Sequence, residues 1–284
     1  MIKIINYFFQ SLVIYFFFLI MLIFRIKISR KIFAYLFSVL GPILKSKKII
    51  DSNIKTFSKN ISDKDRKKIK VNMWKNYGMT FAEYMFLPYL RKQNNHILVK
   101  GENNLPLISD DRPVIFVSGH FANFELMSME ITKRKIKLAT IYRPLNNIFL
   151  NPLMEYLRKK YICKNQIQKG INGVRETIKY INNNYSIALM IDQRLGEGEK
   201  IEFFGKPALT TTLPAQLSKK YNLNIVPVYI ERKDNGKFNL EFQKMIRPDD
   251  FENKIDITKK LNNILEEMII RNPNQWIWTH NRWK

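Results

Sequence analysis

An α/β domain with a mostly parallel central sheet flanked by helices, preceded by one transmembrane helix, is the fold this sequence predicts. Short apolar runs rich in β-formers alternate with helical periodicity beyond residue 50. That alternation is the mark of helices packed on a largely parallel sheet. A twenty-residue uncharged stretch stands at the amino end. No internal repeat or low-complexity linker divides residues 50 to 284.

The elements follow in chain order. Ile5 to Phe24 reads "INYFFQSLVIYFFFLIMLIF", with Asn6, Gln10 and Ser11 as its clearly polar breaks. Its length suffices for a hydrocarbon core of about 30 Å. A cleaved signal peptide would have a shorter apolar region and small residues at its exit, whereas "RIKISRKIF" follows at once. Arg25, Lys27, Arg30 and Lys31 behind the span, against Lys3 ahead of it, predict a cytoplasmic domain by the positive-inside rule. Residues 1–31 are therefore read as anchor and basic flank, and 32–284 as the domain. Ile32 to Leu44 is apolar but too short to span, so it lies either in the membrane interface or over the core.

Helical periodicity covers 65–91, 147–161, 171–183 and 210–221. Between these lie the strand runs 113–118 ("PVIFVS"), 136–142 ("IKLATIY"), 186–191 ("SIALMI") and 224–230 ("NIVPVYI"). A further strand at 237–243, reached through the Asn-Gly of "ERKDNGK", is predicted to pair antiparallel with its predecessor.

Lys and Arg number 48 against 24 Asp and Glu, a net charge of +24 with a pI near 9.9. In a soluble protein such an excess suggests nucleic acid. Behind an anchor, anionic lipid is the nearer partner and no nucleic acid is expected. The single cysteine, Cys163, excludes an intrachain disulfide. No clustered Cys/His ligand spacing appears, so no metal or other cofactor is expected.

The chemistry centres on "VSGHFANFELM". Gly119 and His120 follow the carboxyl end of the 113–118 strand, where open α/β sheets hold ligands. Five residues turn a helix through roughly 500°, so His120 and Glu125 cannot meet on one regular helix. With His120 in the turn and Glu125 in the first helical turn, the carboxylate is expected to reach back to one ring nitrogen and free the other as a base.

"GHFANFE" resembles the His-x4-Glu motif of the late acyltransferases of lipid A biosynthesis, relatives of the glycerolipid acyltransferases. "YRPLNN" at 142–147, "DQRLGEG" at 192–198, "FFGKPALTTT" at 203–212, "IVPV" at 225–228 and the terminal "NPNQWIWTHNRWK" match the family's blocks in order. Phe124 stands where the family usually has tryptophan. The resemblance implies a glycerolipid-acyltransferase-like fold. It also implies an inner-membrane enzyme that moves a fatty acyl group from an acyl carrier protein thioester to a hydroxyl of a lipid A precursor, His120 being the base. The same motifs would serve another glycolipid or phospholipid acceptor.

The resemblance further implies that Arg143 binds a phosphate, with Asn146 in the same block. Asp192, Gln193 and Arg194 either position the acceptor or cap helix ends. Phe203 and Phe204 either line the acyl groove or pack in the core, with Lys206 near an anion. Trp276, Trp278, Trp283 and His280 are read as structural.

Overall fold

The computed structural model describes residues 2–105 and 112–284. Helix α1 (Ile2–Ile23) breaks at Phe24–Arg25 into α2 (Ile26–Leu44), followed by α3 (Lys47–Phe57), α4 (Asp63–Glu83) and the short α5 (Leu87–Lys92). Strand β1 (Ile97–Lys100) leads to β2 (Ile115–Ser118), α6 (Glu125–Lys133), β3 (Leu138–Tyr142), α7 (Asn151–Tyr161), β4 (Asn165–Gln168), α8 (Ile171–Asn182) and β5 (Ser186–Met190). A hairpin, β6 (Glu199–Phe203) and β7 (Lys206–Thr210), precedes α9 (Leu213–Tyr221), β8 (Ile225–Arg232), β9 (Phe238–Phe242) and α10 (Lys254–Arg271).

Among the described residues one seven-stranded sheet runs in the order β1-β9-β8-β2-β5-β3-β4. Every neighbouring pair is parallel except β8 with β9, which the Asn-Gly turn joins as predicted. The central strands are short continuous apolar runs because both sheet faces are covered, and β2 is buried at all its positions. Helices α6, α7 and α8 pack on the β3 to β5 side, α9 and α10 toward β2 and β8. The parallel strands β2, β3 and β5 end on one edge, and their exits carry the loops that matter below.

Two strands escaped the sequence reading. β4, "NQIQ", is a polar edge strand with Ile167 as its buried residue, and β1 is equally short. The β6–β7 hairpin was also unread, because its turn is Phe204-Gly205 with φ of 50° and 69° instead of an Asn-Gly pair.

Residues 32–44 cover the core on one face and leave the other open. Phe33 is buried and Phe37 packs on Tyr77 and Phe81 of α4, while Tyr35, Val39, Leu40 and Ile43 stay exposed. The two helices approach closely at Gly78, where a Cβ would fall 2.1 Å from the Phe33 carbonyl oxygen. Helix α2 runs through residue 31 without interruption, and Arg30 turns inward. Its Nε lies 2.5 Å from a Glu83 carboxylate oxygen and its Nη1 donates to the Gly236 carbonyl at 2.9 Å. Arg30 therefore serves a buried ion pair and is not a free juxtamembrane cation.

Glu83, 0% exposed, is also held by Arg232, which reaches Asn76 and Thr80 as well. Burial alone would raise the Glu83 carboxyl, but the charges of Arg232 and Arg30 and the hydrogen bonds from Arg232 and Asn123 hold it below the usual range. Glu83→Ala is expected to cost about 3–5 kcal/mol, because it strands two buried guanidinium groups. Denaturant unfolding in detergent reads the loss; a cost below about 1 kcal/mol would mean that water or another carboxylate compensates them.

Candidate active site

The loop after β2 is fixed from three sides. Ser118 donates to the Val228 carbonyl at 2.7 Å. At Gly119 a side chain has no room, since a Cβ would lie 2.7 Å from the Phe121 ring and 3.3 Å from the Asp192 Cβ. Ala122 holds a left-handed φ of 44°, which costs energy for an L-residue. Its carbonyl accepts from Thr80 Oγ1 at 2.8 Å and its N–H donates to the Gln275 carbonyl at 3.1 Å. Asn123 Nδ2 donates to Glu83 at 2.8 Å, so the buried ion cluster also grips this turn.

His120 is placed by strand register. Ser118 of β2 pairs with Met190 of β5, so His120 and Asp192 each stand two residues beyond level strand ends. Asp192 Oδ1 lies 2.8 Å from His120 Nδ1, while Oδ2 accepts from the His120 backbone N–H at 2.8 Å and from Trp276 Nε1 at 2.7 Å. Burial would raise this carboxyl, which is only 2% exposed. The His120 charge and the donors from His120 and Trp276 win, and its pKa falls to about 2. Asp192 is thus a carboxylate at neutral pH, fixing the Nδ1–H tautomer and leaving Nε2 as the basic nitrogen. The His120 side chain keeps 18% of its surface open.

Glu125 does not take the part expected of it. It is the first residue of α6, and its Oε1 accepts from Arg158 Nε at 2.8 Å, from Arg158 Nη2 at 2.6 Å and from the Tyr84 hydroxyl. Among the described residues its hydrogen bonds tie α6 to α7 and to Tyr84, and none goes to His120. The carboxylate that orients the imidazole is Asp192, which the sequence reading had given an acceptor-positioning or capping role.

The remaining residues divide between the site and the core. Gln193 Nε2 is 3.3 Å from both ring nitrogens of His120 and 2.7 Å from His280 Nε2. Phe124 packs edge-on to the His120 ring with centroids 4.6 Å apart, so an aromatic wall is present. Arg143, at the end of β3, is exposed, with Nη2 3.5 Å from the Asn146 Oδ1. Arg194 is exposed beside Gln193.

Phe203 is 0% exposed, stacked on Trp283 with Arg282 against its face, so it packs in the core instead of lining a groove. Phe204 is half-buried against Phe57, and Lys206 Nζ reaches Thr56 Oγ1 at 3.2 Å. Both belong to the hairpin contact with α3.

Sequence reasoning passed over two partners in the tail. Trp276 donates to Asp192, and His280 has its ring centroid 6.2 Å from that of His120. His280 is held below its ordinary pKa by burial first, then by His120, Lys45 and Arg143, with Asp192 opposing. The terminal block "QWIWTHNRWK" was the available signal, but nothing in its spacing indicates which loop it meets.

The arrangement sets a partly exposed imidazole, held by a buried carboxylate, at the carboxyl edge of a parallel sheet. The chain resembles known proteins. The family model for bacterial lipid A biosynthesis acyltransferases matches residues 1–284. The chain is 23% identical over 247 residues to the lipid A biosynthesis lauroyltransferase of Escherichia coli, covering 84% of this chain and 78% of that one. It is 23% identical over 177 residues to a lipid A biosynthesis acyltransferase of Haemophilus influenzae, 60% of this chain and 55% of that one. Among solved structures it is similar to the 1-acyl-sn-glycerophosphate acyltransferase PlsC of Thermotoga maritima, at 14% identity and a TM-score of 0.44 over 89% of this chain and 100% of that one. With the family model matched along its whole length, the chain belongs to the bacterial lipid A biosynthesis acyltransferases and is a lipid acyltransferase.

Proposed function

We propose that the enzyme transfers a fatty acyl group from an acyl carrier protein thioester to a hydroxyl of a lipid A precursor at the cytoplasmic face of the inner membrane. The observation that carries this reading is the His120–Asp192 pair in a chain of this family. A sugar hydroxyl at neutral pH is a weak nucleophile without a base. His120 Nε2 takes its proton as the oxygen attacks the thioester carbonyl, and Asp192 stabilises the imidazolium. Backbone amides in the first turn of α6 are the donors for the oxyanion of the tetrahedral intermediate. When the intermediate collapses, the C–S bond breaks and His120 returns the proton to the departing thiolate.

The same reading accounts for the amino end. Helix α1 is long and apolar enough to cross a bilayer, and most of its large side chains, among them Phe9, Phe16 and Leu19, stay exposed in the folded chain. Exposed apolar surface of that extent is uncommon in a soluble monomer. The open face of α2 continues it. Helix α1 is tied to the domain by Asn147 Nδ2 donating to the Tyr7 carbonyl at 2.8 Å and the Tyr15 hydroxyl donating to the Phe149 carbonyl at 2.7 Å. These contacts lie close in sequence to Arg143. An acceptor held in the leaflet by its acyl chains would thus meet Arg143 with its phosphorylated headgroup.

Mass spectrometry of lipid A from cells lacking and then regaining the gene tests the assignment. Regain of one acyl chain is expected with the wild type. An unchanged lipid A profile, with acylation of another glycolipid instead, would move the acceptor elsewhere within the superfamily.

Arg143→Ala is expected to lower kcat/KM for the acceptor about 10- to 150-fold, since a charge-assisted hydrogen bond is worth about 1.5–3 kcal/mol. Arg143→Lys should lose less, keeping charge but not the planar fork. A dephosphorylated acceptor should erase most of the difference between wild type and variants. Parallel losses on both acceptors would give Arg143 a structural role.

A further inference from the structure

The chain has three histidines, and tertiary structure brings the rings of two of them, His120 and His280, to a centroid separation of 6.2 Å. His280 is held there by its main chain. Asn53 of α3, itself 2% exposed, donates through Nδ2 to the carbonyls of Trp278 at 2.8 Å and His280 at 2.5 Å. The Arg282 N–H donates to the same His280 carbonyl at 2.9 Å. A buried asparagine 227 residues away is thus committed to the stretch that carries this imidazole.

The side chain meets Gln193. Gln193 Nε2 lies 2.7 Å from His280 Nε2, and that same atom is 3.3 Å from both Nδ1 and Nε2 of His120. Equal distances to the two ring nitrogens put the carboxamide across the face of the His120 ring, because in the ring plane it would collide with the carbon between them. It therefore takes neither in-plane lone pair nor ring N–H. Asp192 keeps Nδ1, and the amide leaves the in-plane lone pair of Nε2 untaken. The amide N–H donates to a neutral His280. With the amide turned over, Oε1 would accept from His280 Nε2–H and the contact would survive.

We propose that His280 is a positioning residue for the acyl transfer: it acts through Gln193, whose carboxamide it holds against the His120 imidazole so that the ring cannot swing away from Asp192. The inference rests on the acyl-transfer reading above. Asp192 holds the ring by a single in-plane hydrogen bond, and Phe124 meets it edge-on without a polar contact to fix its tilt. A side chain packed on the ring face fixes that tilt, and small misplacements of a catalytic group are costly in rate.

The test is a double-mutant cycle on the full chain in detergent, with acyl carrier protein thioester and lipid A precursor as substrates. His280→Ala and Gln193→Ala are each expected to lower kcat about 10- to 100-fold with KM for both substrates nearly unchanged. The double variant should be no worse than the poorer single. His280→Gln should recover most of the loss, since its terminal amide can stand where the imidazole Nε2 stood. Additive losses, a change confined to KM, or His280→Gln as poor as alanine would each overturn the proposal.

A second readout needs no substrate. With three histidines, the 15N-imidazole signals are assignable by single variants. Those of His120 should shift alike in His280→Ala and Gln193→Ala and little in His280→Gln; signals indifferent to all three changes would also overturn it. Matching shifts in a wild-type protein that acylates nothing would instead overturn the functional reading and leave the contact standing.

Discussion

His120→Ala is expected to lower acyl transfer by at least about a thousandfold, the upper part of the range for a general base whose nucleophile is poor without it. Nε2 is the ring nitrogen left to act as the base, since Nδ1 is engaged by Asp192. The fold should survive. The imidazole supports little core, and Asp192 keeps two donors, the His120 main-chain N–H and Trp276 Nε1. A stability cost of about 1–3 kcal/mol for the lost bond is the expected accompaniment. Single-turnover assays measure the first and denaturant unfolding of the same purified variant the second. Activity within tenfold of the wild type would remove His120 from the chemistry.

Asp192→Asn should lower kcat by about 10³- to 10⁴-fold, as loss of the orienting carboxylate does in other acid-base triads. The carboxylate serves the imidazole with one oxygen and two further donors with the other. An asparagine must turn its amide toward one set or the other. If it faces the ring, the wrong tautomer is favoured. If it faces Trp276 and the His120 main chain, two buried donors lose their acceptor. Glu125→Gln makes the contrast. It should weaken the ion pair with Arg158 and lower stability by about 3 kcal/mol or more, with a smaller fall in kcat. A larger kcat loss from Glu125→Gln than from Asp192→Asn would return Glu125 to the role read from the motif.

Acid adds a check on the same carboxylate. Its pKa in the fold, about 2, lies below the ordinary value of about 4. The stability it contributes is therefore fully present above about pH 4 and is lost as pH falls through about 2. Asp192→Asn should accordingly flatten the unfolding free energy over that acid window.

The sequence by itself determined the layer architecture and the address of the proposed base. Apolar runs such as "IFVS" and "SIALM" must be covered on both faces, which calls for helices over a parallel sheet, and the glycine after the first run marks a strand exit where no side chain fits. It determined the antiparallel β9 as well, because an Asn-Gly turn closes locally. What completes the site was decided by tertiary structure. Chain proximity favoured Glu125 as the partner of His120, yet strand order and register set Asp192, 72 residues away, level with it, and the tail brought Trp276 and His280 from farther still. A short apolar run carries no label for which strand will lie beside it, so contacts between loops at a sheet edge follow from packing the whole chain and not from any local pattern.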